Sequence, residues 1–382
     1  MKRVSTRPRT NWQKTVEGQG LLYHTPDGKT YWDESAYYSL TMREVLSLES
    51  AVGELQQLCL AAAQHVIDTN RFAEFGLSAL TGQAIRKTWN DEPPAIYGRF
   101  DLAYTGDGQP KLLEYNADTP TGLLEAGVVQ WYWLQDQHPT LDQWNSIHER
   151  LVGKWRQLRA YCASPLCFTH THDPAYEDAM TIAYLRETAE QAGHQCETFH
   201  IDQLGVDRDS GVFVAPGGAP VRSVFKLYPW EWMVDEPFAD PLFQSIDQAS
   251  VQWIEPIWKM LWSNKALLPI LWELNPGHPL LLPAYFDGPR DMTEYVKKPK
   301  LSREGANITL MRDGIAIMQT LGEYGGDGYV YQAAATTRHE SGKFPVIGAW
   351  VVDGEAAGCG IRESDGPITD NLSRFVPHLI DG

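Results

Sequence analysis

The stretch Tyr97-Gly-Arg-Phe-Asp-Leu-Ala-Tyr104, Thr105-Gly-Asp-Gly-Gln-Pro110, Lys111-Leu-Leu-Glu-Tyr-Asn116 sets two alternating runs on either side of a Gly/Pro/Asp turn. That is the pattern of a β-hairpin. Symmetric closure about the turn puts Tyr104 opposite Lys111, Asp101 opposite Glu114 and Arg99 opposite Asn116, with the polar groups on one face. Two carboxylates directly opposite one another destabilise a sheet unless something neutralises them. A divalent cation with oxygen ligands would do so, Asn116 would add a neutral carbonyl oxygen, and Arg99 would hold a phosphate or carboxylate beside it. A hairpin with one solvated face is the plain alternative.

Working outward, the chain has 382 residues, enough for two or three domains or one elaborate enzyme fold. Apolar residues make up 43%, with 14 Trp and 17 Tyr, which excludes an intrinsically disordered chain. The formal charge of −17 argues against nonspecific nucleic-acid binding and suits a cationic substrate. The basic N-terminus leads into no apolar stretch of signal-peptide length, and no window holds about 18 unbroken apolar residues. Five cysteines without a C-x-x-C read as reduced thiols, so a cytoplasmic, non-membrane protein is expected.

Residues 1–40 read as aromatic loops. Thr41-x-x-Glu44 is a capping box before a helix running to about residue 69, with a stripe of Val45, Leu48, Val52, Leu55 and Cys59. After the hairpin, Ala117 to Gly122 is a turn opening a helix from about Leu123 to Gln135. Glu125 suits its positive N-terminus, and a substrate carboxylate would sit near Thr119 and Thr121; capping alone also explains the threonines. Leu141 to Tyr161 is helical. Strand 166–169, helix 176–192, strand 196–201 and strand 221–227 then make a βαβ unit with a parallel sheet. His170-x-His172 with Asp173 reads as a strand end followed by a cap.

The last third, from about Pro229, carries most of the candidate chemistry. Trp258 to Lys265 leads into an apolar run with Pro269. Tyr295 to Lys300 is a strand, Leu301-Ser-Arg-Glu-Gly-Ala306 a turn whose N–H groups and basic flanks would fold over phosphates, and Asn307 to Leu310 the return strand. No G-x-x-x-x-G-K order is present. Tyr329 to Ala333 is a further strand, and Pro345–Val352 and Glu355–Ile361 flank an Asp353-Gly354 hairpin turn. Gly358 and Gly360 precede Arg362 and would let a ligand approach the backbone. Thr369 to His378 reads as a polar closing loop.

Tyr97-Gly-Arg-Phe-Asp, Leu113-Glu-Tyr-Asn-Ala-Asp118, Asn264-Lys-Ala-Leu-Leu-Pro269, Val296-Lys-Lys-Pro299 with Gly305-Ala-Asn-Ile308, and Gly360-Ile-Arg362 occur in that order. With them the chain resembles the synthetase half of the glutathionylspermidine synthase family, from roughly residue 12 to the end. The resemblance implies a mixed α/β (α+β) ATP-grasp-type ligase with a βαβ pre-ATP-grasp-like domain. The expected units are residues 1–162 carrying the hairpin 97–116, residues 163–228, and residues 229–382 with a lid-like segment at 285–325.

It further implies that Asp101, Glu114 and Asn116 hold Mg2+ and that Arg99 and Arg362 grip the γ-phosphoryl. Lys265 and Lys298 would take the α- and β-phosphates of ATP under a loop running from Ser302 through Gly305 to Asn307. Thr119, Thr121 and Glu125 would face the substrate. The implied reaction joins a peptide or thiol-peptide carboxylate to an amine such as a polyamine through an acyl phosphate. Both Asp101 and Glu114 would then be ionised at neutral pH. The family's bifunctional members carry an N-terminal amidase domain, and a synthetase without it is expected here. Asp118-Thr-Pro-Thr-Gly122 also departs from the family's glutathione-pocket segment. Two other readings stand beside the ligase: a nucleotide-binding regulator without turnover, and a carbohydrate binder using Trp131, Trp133, Trp230 and Trp232.

Overall fold

The structure is a computed structural model and describes residues 1–207, 209–303, 305–370 and 373–382. At its centre is an antiparallel sheet of five strands in the order Arg374–Val376, Glu355–Ser364, Phe344–Val352, Tyr97–Ala103 and Lys111–Asn116. The hairpin therefore supplies the edge, and its hydrogen bonds to Phe344–Val352 run across the boundary drawn from sequence at residue 162.

Its register carries one correction. Arg99 faces Asn116 and Asp101 faces Glu114, but a bulge after Asp101 then pairs Leu102 with Leu112 and Ala103 with Lys111. Tyr104 is thus not opposite Lys111. The bulge lets Leu102 and Leu112 both enter the core and turns Leu113 toward the cleft described below. It also suits an edge strand, whose free backbone groups need cover. Leu112 N–H donates to Leu280 O, Gln332 donates to Leu112 O, and Lys298 donates to Leu113 O.

A second sheet is wholly parallel, in the order Gln252–Ile254, Ser223–Leu227, Leu166–His170, Cys196–His200, with helix Glu177–Gln191 as the crossover. Strand order reverses between Leu166–His170 and Ser223–Leu227, so a crevice opens at their carboxyl ends. A third sheet is antiparallel and holds Ala284–Tyr285, Tyr329–Ala333, Glu294–Pro299, Thr309–Arg312 and Ile315–Gln319. It overhangs the hairpin edge.

The long helix Met42–Asp68 starts at the expected capping box and packs its apolar stripe into the core. The first forty residues are less irregular than their composition suggests. Lys2–Ser5 pairs with Ala36–Leu40, which pairs in turn with His378–Ile380. Alternate burial of Ala36, Tyr38 and Leu40 is the strand signal, masked in the sequence by the adjacent tyrosines. The tail likewise contains strands Arg374–Val376 and His378–Ile380 rather than loop alone, while Asn371 and Leu372 lie outside the described residues. Among the described residues no helix is long and apolar enough to cross a membrane.

One buried group gives the fold a pH dependence. His378 is fully buried, with Nδ1 2.9 Å from Gln130 Oε1, and burial lowers its pKa to about 3. The imidazole is neutral in the fold and takes up a proton on unfolding near its ordinary value. Its stabilising contribution is complete above about pH 6.5 and is lost as pH falls toward 3, at ~1.4 kcal/mol per pH unit. Urea unfolding of His378→Gln and the parent chain between pH 6.5 and 4 should give a shallower slope for the variant, by about 1 kcal/mol per pH unit. Equal slopes would assign the acid sensitivity to other groups.

Candidate active site

The hairpin pleat turns Arg99, Asp101, Glu114 and Asn116 to one face, and the structure binds them into a single network. Arg99 donates from Nε to Asp101 Oδ1 at 2.7 Å and from Nη2 to Oδ2 at 2.9 Å. The Asn116 amide donates to Asp101 Oδ2 at 3.2 Å and Glu114 Oε1 at 3.1 Å. Lys265 Nζ lies 3.0 Å from Glu114 Oε2 and donates to Ser302 O at 3.0 Å. The carboxylate pair is thus neutralised by Arg99 and Lys265, and Asn116 acts toward it as a donor rather than through its oxygen. Room for Arg99 comes from Gly348 on the neighbouring strand, where an added Cβ would lie 2.8 Å from Arg99 Cδ.

The two carboxylates respond differently to this setting. Burial pushes Glu114 upward, but Lys265, Lys298 and the Asn116 hydrogen bond outweigh it and bring the pKa down to about 2. At Asp101 burial wins over Arg99, and the pKa is raised. Opposite shifts within one close pair are the arrangement that separates the roles of two carboxyl groups. Lys298 is lowered to about 8, by burial first and by Lys265, against the pull of Glu114 and Asp101.

Lys265 follows Asn264, whose side chain accepts from Ala266 N–H and donates to Phe75 O, fixing the entry to helix Leu267–Leu274. Lys298 Nζ donates to Leu113 O at 3.1 Å and to Gln332 Oε1 at 2.7 Å. Arg362, on strand Glu355–Ser364, donates to Asp370 O at 2.8 Å and Ser373 O at 3.0 Å, with its guanidinium 5.1 Å from the Tyr31 ring centre.

A cleft of about 570 Å³ joins these groups. Arg99, Asp101, Glu114, Asn116, Lys265, Lys298, Ser302, Gly305, Arg362, Thr119 and Thr121 all line it. Asn307 and Glu125 do not. Asn307 has φ +55° and accepts from Tyr324 N–H at 2.8 Å, so it ties the two limbs of the lid-like segment together. Glu125 is buried in the π-helical turn Glu125–Val129, before helix Gln130–Gln137, and accepts from Tyr31 O–H at 2.7 Å. It therefore lies beneath Tyr31, the ring on which Arg362 rests.

The glycines also read differently in three dimensions. An added Cβ at Gly358 would meet the backbone at Trp144 and Asn145, and one at Gly360 would meet the Phe375 ring. Both glycines thus make room for the protein's own chain, and Gly360 also lines the cleft. Gly305, at φ +70°, lets its turn rest on the Thr369 carbonyl. Its neighbour Glu304 lies outside the described residues.

Sequence reasoning passed over Arg303, Gln332, Tyr31 and the pair Asp118–Lys226. Arg303 donates to Thr119 Oγ1 at 3.1 Å and packs its guanidinium 5.6 Å from the Trp232 ring centre. Its place in a basic turn was the available signal. A lysine inside the apolar strand Ser-Val-Phe-Lys-Leu was the signal for a buried partner, because lysine is almost never fully buried unpaired. A lone glutamine in a strand, such as Gln332, gives none.

The carbohydrate reading weakens in this structure, and the cap reading of Asp173 agrees with it. Trp133 and Trp230 are core residues and Trp131 packs against the core, leaving Trp232, 40% exposed, beneath Arg303. Asp173 accepts from Ala175 and Glu177 N–H as a helix cap, and among the described residues no group of three His, Cys, Asp or Glu is placed to hold a metal. Two carboxylates and an amide facing a cleft suit Mg2+ in particular, which uses one or two carboxylates and completes its shell with phosphates and water.

The chain is similar to several known proteins. The family described as "Glutathionylspermidine synthase preATP-grasp" matches residues 3–381. A Haemophilus influenzae protein named "Putative acid--amine ligase" is 37% identical over 396 residues, covering 99% of each chain. The bifunctional glutathionylspermidine synthetase/amidase of Escherichia coli is 27% identical over 91% of this chain, which spans 60% of that protein's length. Trypanothione synthetase of Crithidia fasciculata is 27% identical over 83% of this chain and 52% of its own. Among solved structures, a glutathione synthetase-like effector from Globodera pallida shares the fold, with TM-score 0.58, 10% identity and 98% coverage of both chains.

Proposed function

The chain belongs to the glutathionylspermidine synthase family, and on that premise we propose that it is an ATP-dependent ligase joining a peptide or thiol-peptide carboxylate to an amine such as a polyamine. The observation that carries this reading is the convergence of an acidic pair, two lysines and two guanidiniums on one cleft. Phosphoryl transfer asks for charge neutralisation and in-line positioning more than for covalent help, and those are the groups that provide it.

When bound, Mg2+ held by Asp101, Glu114 and Asn116 would neutralise the triphosphate and polarise its oxygens. Lys265 and Lys298 would receive the α- and β-phosphates, and Arg99 and Arg362 the transferring group. Arg99 and Lys265 now face carboxylates and would exchange part of that contact for phosphate oxygens. An oxygen of the substrate carboxylate then bonds to the γ-phosphorus as the bond to ADP breaks, giving an acyl phosphate. The amine nitrogen attacks the acyl carbon, the carbon–oxygen bond to phosphate breaks, and the nitrogen loses a proton. Gly305, which rests against Thr369, lies in a turn that would keep water from the acyl phosphate. The net charge of −17 favours a cationic amine as the nucleophile.

The test is ADP release with magnesium, using glutathione and other short peptides with spermidine and other amines, beside a nucleotide-binding measurement. Release that requires acid, amine and magnesium together is expected. Binding without turnover would instead identify a regulatory homologue, and no nucleotide binding at all would refute the reading.

A further inference from the structure

Lys226 is completely buried in the parallel sheet, side by side in register with Thr169. Its Nζ donates to Asp118 Oδ1 at 2.5 Å and to Tyr228 O at 3.1 Å, and lies 4.7 Å from the Trp230 ring centre. Asp118 is also buried, and its second oxygen accepts from Trp230 N–H at 2.9 Å. The N–H groups of Ala117 and Asp118 both donate to Ser263 Oγ, at 3.0 and 2.9 Å.

The turn that follows carries Thr119 and Thr121 into the cleft. Arg303 donates to Thr119 Oγ1, and Arg99 donates to the Thr121 carbonyl. One end of the turn is therefore fixed to the carboxyl end of the parallel sheet, beside its switch point, and the other is held by the metal-site hairpin.

A fully buried ion pair is a poor source of stability, because removing two charges from water costs as much as their attraction returns, and neutral side chains of similar volume often do as well. What the pair supplies that apolar contacts cannot is a fixed direction and distance. We propose that Lys226 and Asp118 are positioning residues that set the 119–122 turn against the metal-site hairpin, so that the acid substrate lies in line with the γ-phosphorus. The proposal rests on the ligase reading for its kinetic consequence and on geometry alone for its structural one.

The test compares Lys226→Met with the double variant Lys226→Met/Asp118→Asn. The single variant leaves a buried unpaired carboxylate and should lose thermal stability. The double variant should regain it, melting at or above the parent temperature. Its affinity for the magnesium complex of a non-hydrolysable ATP analogue should stay within about threefold, whereas kcat for ADP release falls about 100-fold, the scale of a misplacement of ~1 Å. Its crystal structure should show the 119–122 turn displaced or poorly ordered.

Parent turnover in the double variant, a turn in its parent position, or failure of the double variant to fold would each overturn the proposal. A parallel fall in nucleotide affinity would also overturn it, by assigning the pair to the nucleotide half. Should the parent chain release no ADP with any acid and amine, the ligase reading fails, and the turn's position in the double variant still decides the structural claim.

Discussion

Glu114→Gln is expected to lower magnesium-dependent ADP release about 10³-fold or more while leaving the circular dichroism spectrum close to that of the parent, with a lower melting temperature because the buried Lys265 and Lys298 lose their counter-charge. Glu114 is the carboxylate that the lysines hold strongly acidic, at about 2, so it carries a full charge at neutral pH. The amide keeps the shape and a neutral oxygen but loses the charge that a dication requires. A factor of 10³ corresponds to about 4 kcal/mol of transition-state stabilisation, a reasonable share for a metal clamp on a transferring phosphoryl group. The fold should tolerate the change because the side chain is 25% exposed at a cleft and Lys265 retains its bond to Ser302 O. A magnesium titration of ADP release is the measurement. A variant with the parent's rate and magnesium dependence would remove Glu114 from the site.

Arg362→Ala should show the second large effect, on turnover more than on binding. A guanidinium aimed at charge that develops during transfer acts mainly on kcat, with arginine contributions of about 10³ or more known for such reactions. A fall in kcat of about 10³ with nucleotide-analogue affinity changed less than tenfold is expected. Arg362 also holds the tail through the Asp370 and Ser373 carbonyls, so its loss frees a segment that the turn at Gly305 touches. Arg362→Lys separates the two contributions. It keeps the charge without the planar fork, and should recover affinity more than rate. Equal losses in affinity and rate for the alanine variant would make Arg362 a binding residue only.

Much of the site was legible because its chemistry is local in sequence. Alternation in a hairpin puts Asp101 beside Glu114 whether or not the rest of the chain is known, and the bulge beyond Asp101 left that pair intact. The βαβ unit was equally plain, since strand, helix and strand each follow from a short pattern. What could not be read were contacts between distant segments. Nothing near Gly360 in the sequence announces the Phe375 ring, and nothing near Glu125 announces Tyr31. Both contacts were therefore out of reach of the sequence, and Gly360 lines the cleft as well. Lys226 and Asp118 meet across 108 positions, and only the oddity of a lysine in a buried strand hinted at a partner. The loop-like N-terminus hid two strands because their partners include residues at the opposite end of the chain.

A crystal structure with magnesium and a non-hydrolysable ATP analogue tests the account most directly. It should place a metal at about 2.1 Å from oxygens of Asp101 and Glu114, with the triphosphate running past Lys265 and Lys298 toward Arg99 and Arg362. A triphosphate bound away from the 97–116 hairpin, or a metal that touches neither carboxylate, would contradict it.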